Sequence, residues 1–142
     1  MSPDLIGIIL GIALVVPTLY VVRSQGVDAW AWSAILATLP LYYMLMGLLA
    51  EDTSVIWLEL LYGLPYVITA LIVRTQTSRW ALIALALAWL SHGLYDYYHD
   101  VFFVNPGVFT WYPAFCALID VVVGLYLLAR VRSLGATGAS NA

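Results

Sequence analysis

The chain has 142 residues, of which 64% are hydrophobic and 9% charged, and its formal net charge is −3. An average soluble domain is about 45–50% apolar and about 25% charged, so this composition excludes a soluble globular fold. The acidic balance also argues against nucleic acid as a partner. In a bilayer the backbone must satisfy its own hydrogen bonds, and long, solidly apolar runs favour a helix bundle over a barrel.

Five apolar stretches, each long enough to cross a bilayer as a helix, follow one another along the chain. They predict transmembrane helices over about 4–22, 29–50, 54–73, 80–98 and 112–129. Short polar segments separate them, and Asn105-Pro106-Gly107 marks a turn in the longest connection. The sequence therefore predicts an all-α fold. A single five-helix domain covers residues 1–132, and a small, polar, disordered cytoplasmic tail covers 133–142.

The arginines determine the predicted orientation. With five crossings, all of them fall on one side of the membrane: Arg23, Arg74, Arg79, Arg130 and Arg132. By the positive-inside rule that side is cytoplasmic, so the N-terminus lies outside. The N-terminal segment lacks the basic region of a signal peptide, and we expect the first helix to stay in the mature protein. This indicates a multi-pass protein of a cell membrane, the cytoplasmic membrane of a bacterium or archaeon, with the lipid bilayer as its main partner.

Five ionisable candidates at membrane depth lie in or directly after the last three predicted spans, and the first two helices have none at that depth: Glu59, His92, Asp96, His99 and Asp120. Such groups are costly in lipid and indicate function by default. Steps of three, four and three residues place four side chains of the fourth helix on one face: Trp89, His92, Asp96 and His99. At about 1.5 Å per residue, the carboxylates and His92 form one layer in the outer half of the bilayer.

Two kinds of chemistry use such a layer. Imidazole nitrogens and carboxylate oxygens suit zinc or iron. His92, Asp96 and His99 are the candidate ligands, and Glu59 or Asp120 could also supply an oxygen. Alternatively, carboxyl groups act as general acids or bases, and the candidates are Glu59, Asp96 and Asp120. Four neighbouring side chains are candidates for contact with a ligand: Trp89, Tyr95, Tyr98 and Cys116. Gly93 leaves room for a neighbouring backbone or a ligand.

Two stretches resemble known families. Residues 91–99, with the pattern H-G-x-Y-D-x-x-H, resemble small uncharacterised bacterial multi-pass membrane proteins, a resemblance that implies no activity. The segment from Glu59 to Pro65, followed by His92, is similar to the central helices of the emopamil-binding and sigma-2-receptor family. That resemblance implies a cavity for sterols or lipophilic amines, with Glu59 and His92 among its residues, and sterol isomerisation in some members. The acids or histidines of that family's first helix have no counterpart here.

These observations predict an outward-facing polar site inside the membrane that binds a metal or a lipophilic small molecule. A protein with such a site could be a small membrane enzyme. Two alternatives stay open. The polar layer could only fix helix packing in a non-catalytic partner subunit, or it could relay protons or ions in a transport component. The inner halves of the helices lack ionisable side chains, which disfavours transport. The sequence favours no particular oligomeric state.

Overall fold

The structure is a computed structural model that describes residues 1–76 and 78–139, apart from the side chains of Asp28 and of 134–139. Every regular element in these residues is a helix, in the order α1 (Pro3–Gln25), α2 (Asp28–Leu49), α3 (Thr53–Val73), α4 (Arg79–Tyr97), α5 (His99–Phe102) and α6 (Tyr112–Ala139). Within the described residues, four of them, α1, α2, α3 and α6, are long and apolar enough to cross a membrane. The prediction of an all-helical membrane protein is confirmed.

Helix α4 is not among those four, because it carries the polar residues of the predicted site and begins with Arg79. It also has ten buried positions, spread from Ala81 to Asp96. A helix that contacts mostly protein needs less apolar surface than one that contacts lipid, and polar side chains in membranes face the bundle interior.

Most predicted helix limits lie within three residues of the observed ones, because capping residues mark them. Ser2 and Ser78 accept hydrogen bonds from the first turns of α1 and α4. Asp52 caps α3 by accepting hydrogen bonds from the backbone and hydroxyl of Ser54, which lower the pKa of this carboxyl. Gly26 ends α1 in the left-handed conformation, with φ of 68°.

Two features at the C-terminal side differ from the predicted elements. A short helix, α5, follows a break at Tyr98, where the predicted fourth helix was expected to end. Helix α6 continues to Ala139, so the backbone is helical over most of the segment for which composition predicts disorder. Residues 140–142 of that predicted tail lie outside the described residues.

The helices pack as two connected groups, one of three helices and one of two. Helix α6 lies against both α4 and α1, while α2 lies against α3, and α3 joins the two groups through α4. Gly7 of α1 faces the start of α6 at Trp111 and Phe115, and Gly11 faces Phe115 and Leu118 one turn further on. Helices α1 and α6 therefore run in the same direction. Helix α1 has few contacts with α2, which leaves a cleft between them.

The apolar core fills one half of the bundle. It is built around Trp32 of α2, Trp89 of α4 and Leu127 of α6, all nearly or fully buried. The two indole rings meet edge to face with centroids 5.8 Å apart. The polar residues of α4 begin one turn beyond Trp89, so the predicted site lies directly against one end of this core.

Candidate functional site

A buried triad of His92, Asp96 and Asp120 forms the centre of the candidate site. Nδ1 of His92 lies 2.6 Å from Oδ2 of Asp120 and 3.2 Å from Oδ2 of Asp96. All three side chains are at most 2% exposed. One imidazole nitrogen thus faces two carboxylates in the interior of an apolar bundle.

Helices α4 and α6 position the triad. His92 and Asp96 are four residues apart and lie one above the other on α4. Gly93 lets α6 approach, since a Cβ atom placed there would lie 2.9 Å from Cβ of Asp120 and 3.1 Å from the carbonyl oxygen of Ala117. The absence of a side chain at Gly93 therefore brings Asp120 to His92.

Asp96 stands out within the triad because it is fully buried and poorly satisfied. Neither of its carboxylate oxygens has a hydrogen bond of good geometry in the described part of the chain. The hydroxyl of Tyr43 lies near enough to interact with Asp96, yet it too lacks a well-formed hydrogen bond there. A buried carboxylate that lacks well-formed hydrogen bonds costs roughly several kcal/mol, so a group that would satisfy Asp96, in addition to His92 at 3.2 Å, is expected next to it.

The triad has the composition of a metal site. Its possible ligand atoms, one imidazole nitrogen and two carboxylate oxygens, all lie within 4.8 Å of one another. Two carboxylates carry two negative charges, which one divalent cation would neutralise. At zinc distances of about 2.0–2.2 Å, tetrahedral ligand atoms are about 3.4 Å apart. The His92–Asp96 separation of 3.2 Å fits this value, and the His92–Asp120 pair at 2.6 Å would have to open by less than 1 Å.

A second buried group, the glutamate cluster, consists of Glu59, Tyr95, His99 and Asn105. The Glu59 carboxylate accepts hydrogen bonds from the Tyr95 hydroxyl at 3.0 Å and the Asn105 amide at 2.8 Å, and its Oε1 lies 2.9 Å from Nε2 of His99. Glu59 is 2% exposed and His99 is fully buried. Tyr95 is the member of this cluster that faces the triad, with its ring centroid 5.8 Å from that of His92.

His99 belongs to the glutamate cluster because α4 ends before it. A continuous helix would keep His99 on the same face as His92, as the sequence spacing suggests. The chain instead breaks at Tyr98 and starts α5, which turns the imidazole towards Glu59 of α3. Of the predicted metal ligands, the structure brings His92 and Asp96 together and places His99 elsewhere. Asp120, predicted as an acid or base or as a further oxygen ligand, completes the triad.

Asn105 and Tyr43 are polar contributors that the sequence pattern did not single out. The Asn105 amide also donates to the backbone carbonyl of Tyr43, and its carbonyl accepts from the backbone of Gly107. The Tyr43 ring stacks on His99 with centroids 4.6 Å apart. The sequence identifies Asn105 only as a turn residue. The turn that it forms places its amide next to Glu59.

The predicted ligand-contacting residues separate into three groups. Trp89 and Cys116 line a cavity described next, and Tyr95 is engaged with Glu59. Tyr98 is 48% exposed and packs edge to face on Tyr97, away from both clusters.

A cavity of about 460 Å³ lies in the cleft between α1 and α2, with α4 and α6 behind it. Its walls are largely aliphatic and aromatic, and Asp120 of the triad is part of its lining. This size falls within the roughly 300–1,000 Å³ of small-molecule pockets. The first two helices, whose Asp, Glu, Lys, Arg and His residues lie only at their ends, thus supply an apolar chamber that reaches the triad.

No protein-family model, curated protein or solved structure matches this chain. The two family resemblances suggested by the sequence therefore stay predictions, and the functional argument depends on the geometry of the site.

Proposed function

We propose that this protein crosses the membrane five times and binds a divalent metal ion, zinc or iron, at the buried triad of His92, Asp96 and Asp120. The observation that carries the proposal is Asp96, which is fully buried. Neither of its carboxylate oxygens has a well-formed hydrogen bond among the described residues, and Nδ1 of His92 comes no closer than 3.2 Å to Oδ2. A cation bound by the triad would satisfy those oxygens and balance the two carboxylates. Zinc or iron held there would supply a Lewis acid next to the cavity.

Helix directions support five crossings. Since α1 and α6 run in the same direction, an odd number of spanning helices has to lie between them. Helices α2, α3 and α4 meet this condition if α4 spans as well. The five arginines then share one side, and the positive-inside rule makes that side cytoplasmic, with the N-terminus outside. The triad lies in the outer half of the bilayer in this arrangement.

The test is the metal content of the purified protein. Protein in mild detergent, prepared without a histidine tag, is analysed by elemental mass spectrometry, and near-stoichiometric zinc or iron is expected. The chain offers a matched control because it contains two histidines. His92→Ala should lose at least 90% of the metal, while His99→Ala, which removes an equally buried imidazole from the glutamate cluster, should keep most of it.

Three outcomes would contradict the proposal. Wild-type protein without metal, even after dialysis against zinc or ferrous iron, would leave the triad as a proton-binding or packing group. Equal loss in both variants, with size-exclusion chromatography showing that both are folded, would show that His92 is no more a metal ligand than His99. Metal retained in His92→Ala would move the site elsewhere.

A further inference from the structure

We propose that the cavity between α1 and α2 binds a neutral long-chain alcohol, which enters sideways from the bilayer and places its hydroxyl group at Asp120. This inference goes beyond the metal site, because the cavity and its opening exist whether or not the triad holds an ion.

The shape and lining of the cavity select a single apolar chain. Its side chains come from α1, α2, α4 and α6, and they are mostly aliphatic or aromatic, among them Val15, Ile35, Leu39, Trp89 and Phe115. At about 460 Å³, the cavity lies in the lower half of the usual range for small molecules. A single hydrocarbon chain suits this space better than a two-chain phospholipid.

The polar residues of the cavity determine the head group. No lysine, arginine or histidine is among its lining residues, which disfavours an anionic head such as a fatty-acid carboxylate. Asp120 supplies an acceptor, so the ligand needs a hydrogen-bond donor. Because His92 already lies 2.6 Å from Oδ2 of Asp120, this carboxylate has a partner for its charge, and a neutral hydroxyl suits it better than an ammonium group.

The way in is the gap between the first two helices. Helix α1 packs on α6 and α2 packs on α3, and the two have few contacts with each other. Leu14 of α1 and Tyr42 of α2 line the cavity and are each 51% exposed. Trp32 and Trp89, at the back of the cavity, are almost completely buried. The opening therefore faces the surface that meets lipid, and an alcohol dissolved in the bilayer reaches it without crossing water.

Photolabelling in nanodiscs tests this proposal. The probe is hexadecanol with a diazirine near the end of its chain, and labelled peptides are located by mass spectrometry. Wild-type protein should be labelled on cavity-lining residues of α1 and α2. Ile35→Trp, which fills the cavity, should lower this labelling at least tenfold. The control is Ile68→Trp, the same change at a half-exposed position of α3 outside the cavity lining, and it should leave labelling unchanged.

Two further arms keep the test decisive. Leu14→Trp narrows the opening at an exposed position and should slow labelling even if Ile35→Trp does not fold. Probes with a carboxylate or an amine in place of the hydroxyl should label at least fivefold less. Equal labelling by all three probes, or equal labelling in Ile35→Trp and Ile68→Trp, would overturn the proposal. Metal content measured on the same samples separates this failure from failure of the metal site, since Ile35→Trp should keep its metal.

Discussion

Glu59 holds together side chains from three separate parts of the chain. Its two carboxylate oxygens lie within hydrogen-bond distance of side chains from Tyr95 of α4, His99 of α5 and Asn105 of the following loop. Removing the carboxylate leaves these polar groups buried without their acceptor. We expect Glu59→Ala to lower the free energy of unfolding by about 3–5 kcal/mol, and Glu59→Gln, which keeps one acceptor oxygen, by about 1–2 kcal/mol.

Circular dichroism, recorded in detergent while temperature or denaturant is raised, measures the stabilities of Glu59→Ala and Glu59→Gln relative to wild type. Glu51→Gln is the matched control, because Glu51 lies exposed in the turn after α2 and should behave as wild type. A Glu59→Ala protein as stable as the control would show that the glutamate cluster does not stabilise the fold.

At the scale of single residues, the sequence predicted the triad better than the glutamate cluster. His92 and Asp96 are four apart on one helix, and this spacing survives in the structure. The partnership of His99 with Glu59 could not be predicted, because it depends on where α4 stops. The role of Asn105 depends on contacts with residues more than forty positions away, which no local pattern encodes.

Among the helices, α1 depends on close approach to α6. A Cβ atom at Gly7 would overlap the carbonyl oxygen of Trp111 and crowd the backbone nitrogen of Phe115, both of them backbone atoms that cannot move aside. We expect Gly7→Ala to lower the free energy of unfolding by about 1–3 kcal/mol, as overpacking does.

Gly26→Ala is the comparison for this prediction. Gly26 has open space around its Cβ position, so the same substitution there acts only through its φ of 68° and should cost less than Gly7→Ala. Both variants are compared with wild type by thermal unfolding in the same detergent. If Gly7→Ala unfolds at the wild-type temperature, α1 does not pack as closely on α6 as this structure shows.

Long elements were predictable because lipid imposes a simple requirement on them. An apolar run of the length of Thr53–Val73 can hardly be anything but a helix in a bilayer. Helix α5 has four residues and no apolar run of its own, so it has no such signal. Its position follows from the cluster beneath it, where His99 is fixed by Glu59.

For the whole molecule, the apolar N-terminal helices and the more polar helices that follow them contribute different walls of one site. Helices α3, α4 and α6 carry the ionisable side chains, whereas α1 and α2 add apolar walls in front of Asp120. By hydropathy alone, α1 and α2 are indistinguishable from simple membrane anchors. The cavity arises because α1 packs against α6 and makes few contacts with α2. Which helices pack together depends on the tertiary structure, so hydropathy does not predict the cavity.

The least apolar helix, α4, decides how many times the chain crosses the membrane. If α4 spans, Thr75 before it and Val101 after it lie on opposite sides, and Val101 shares the outer side with Ser2. Single cysteines at these exposed positions, in a Cys116→Ala background, test this with a membrane-impermeant maleimide. We expect Ser2→Cys and Val101→Cys to react in intact cells and Thr75→Cys to react only after permeabilisation. If Val101→Cys behaved like Thr75→Cys, α4 would not cross, and the triad would have to be reached from the cytoplasmic side.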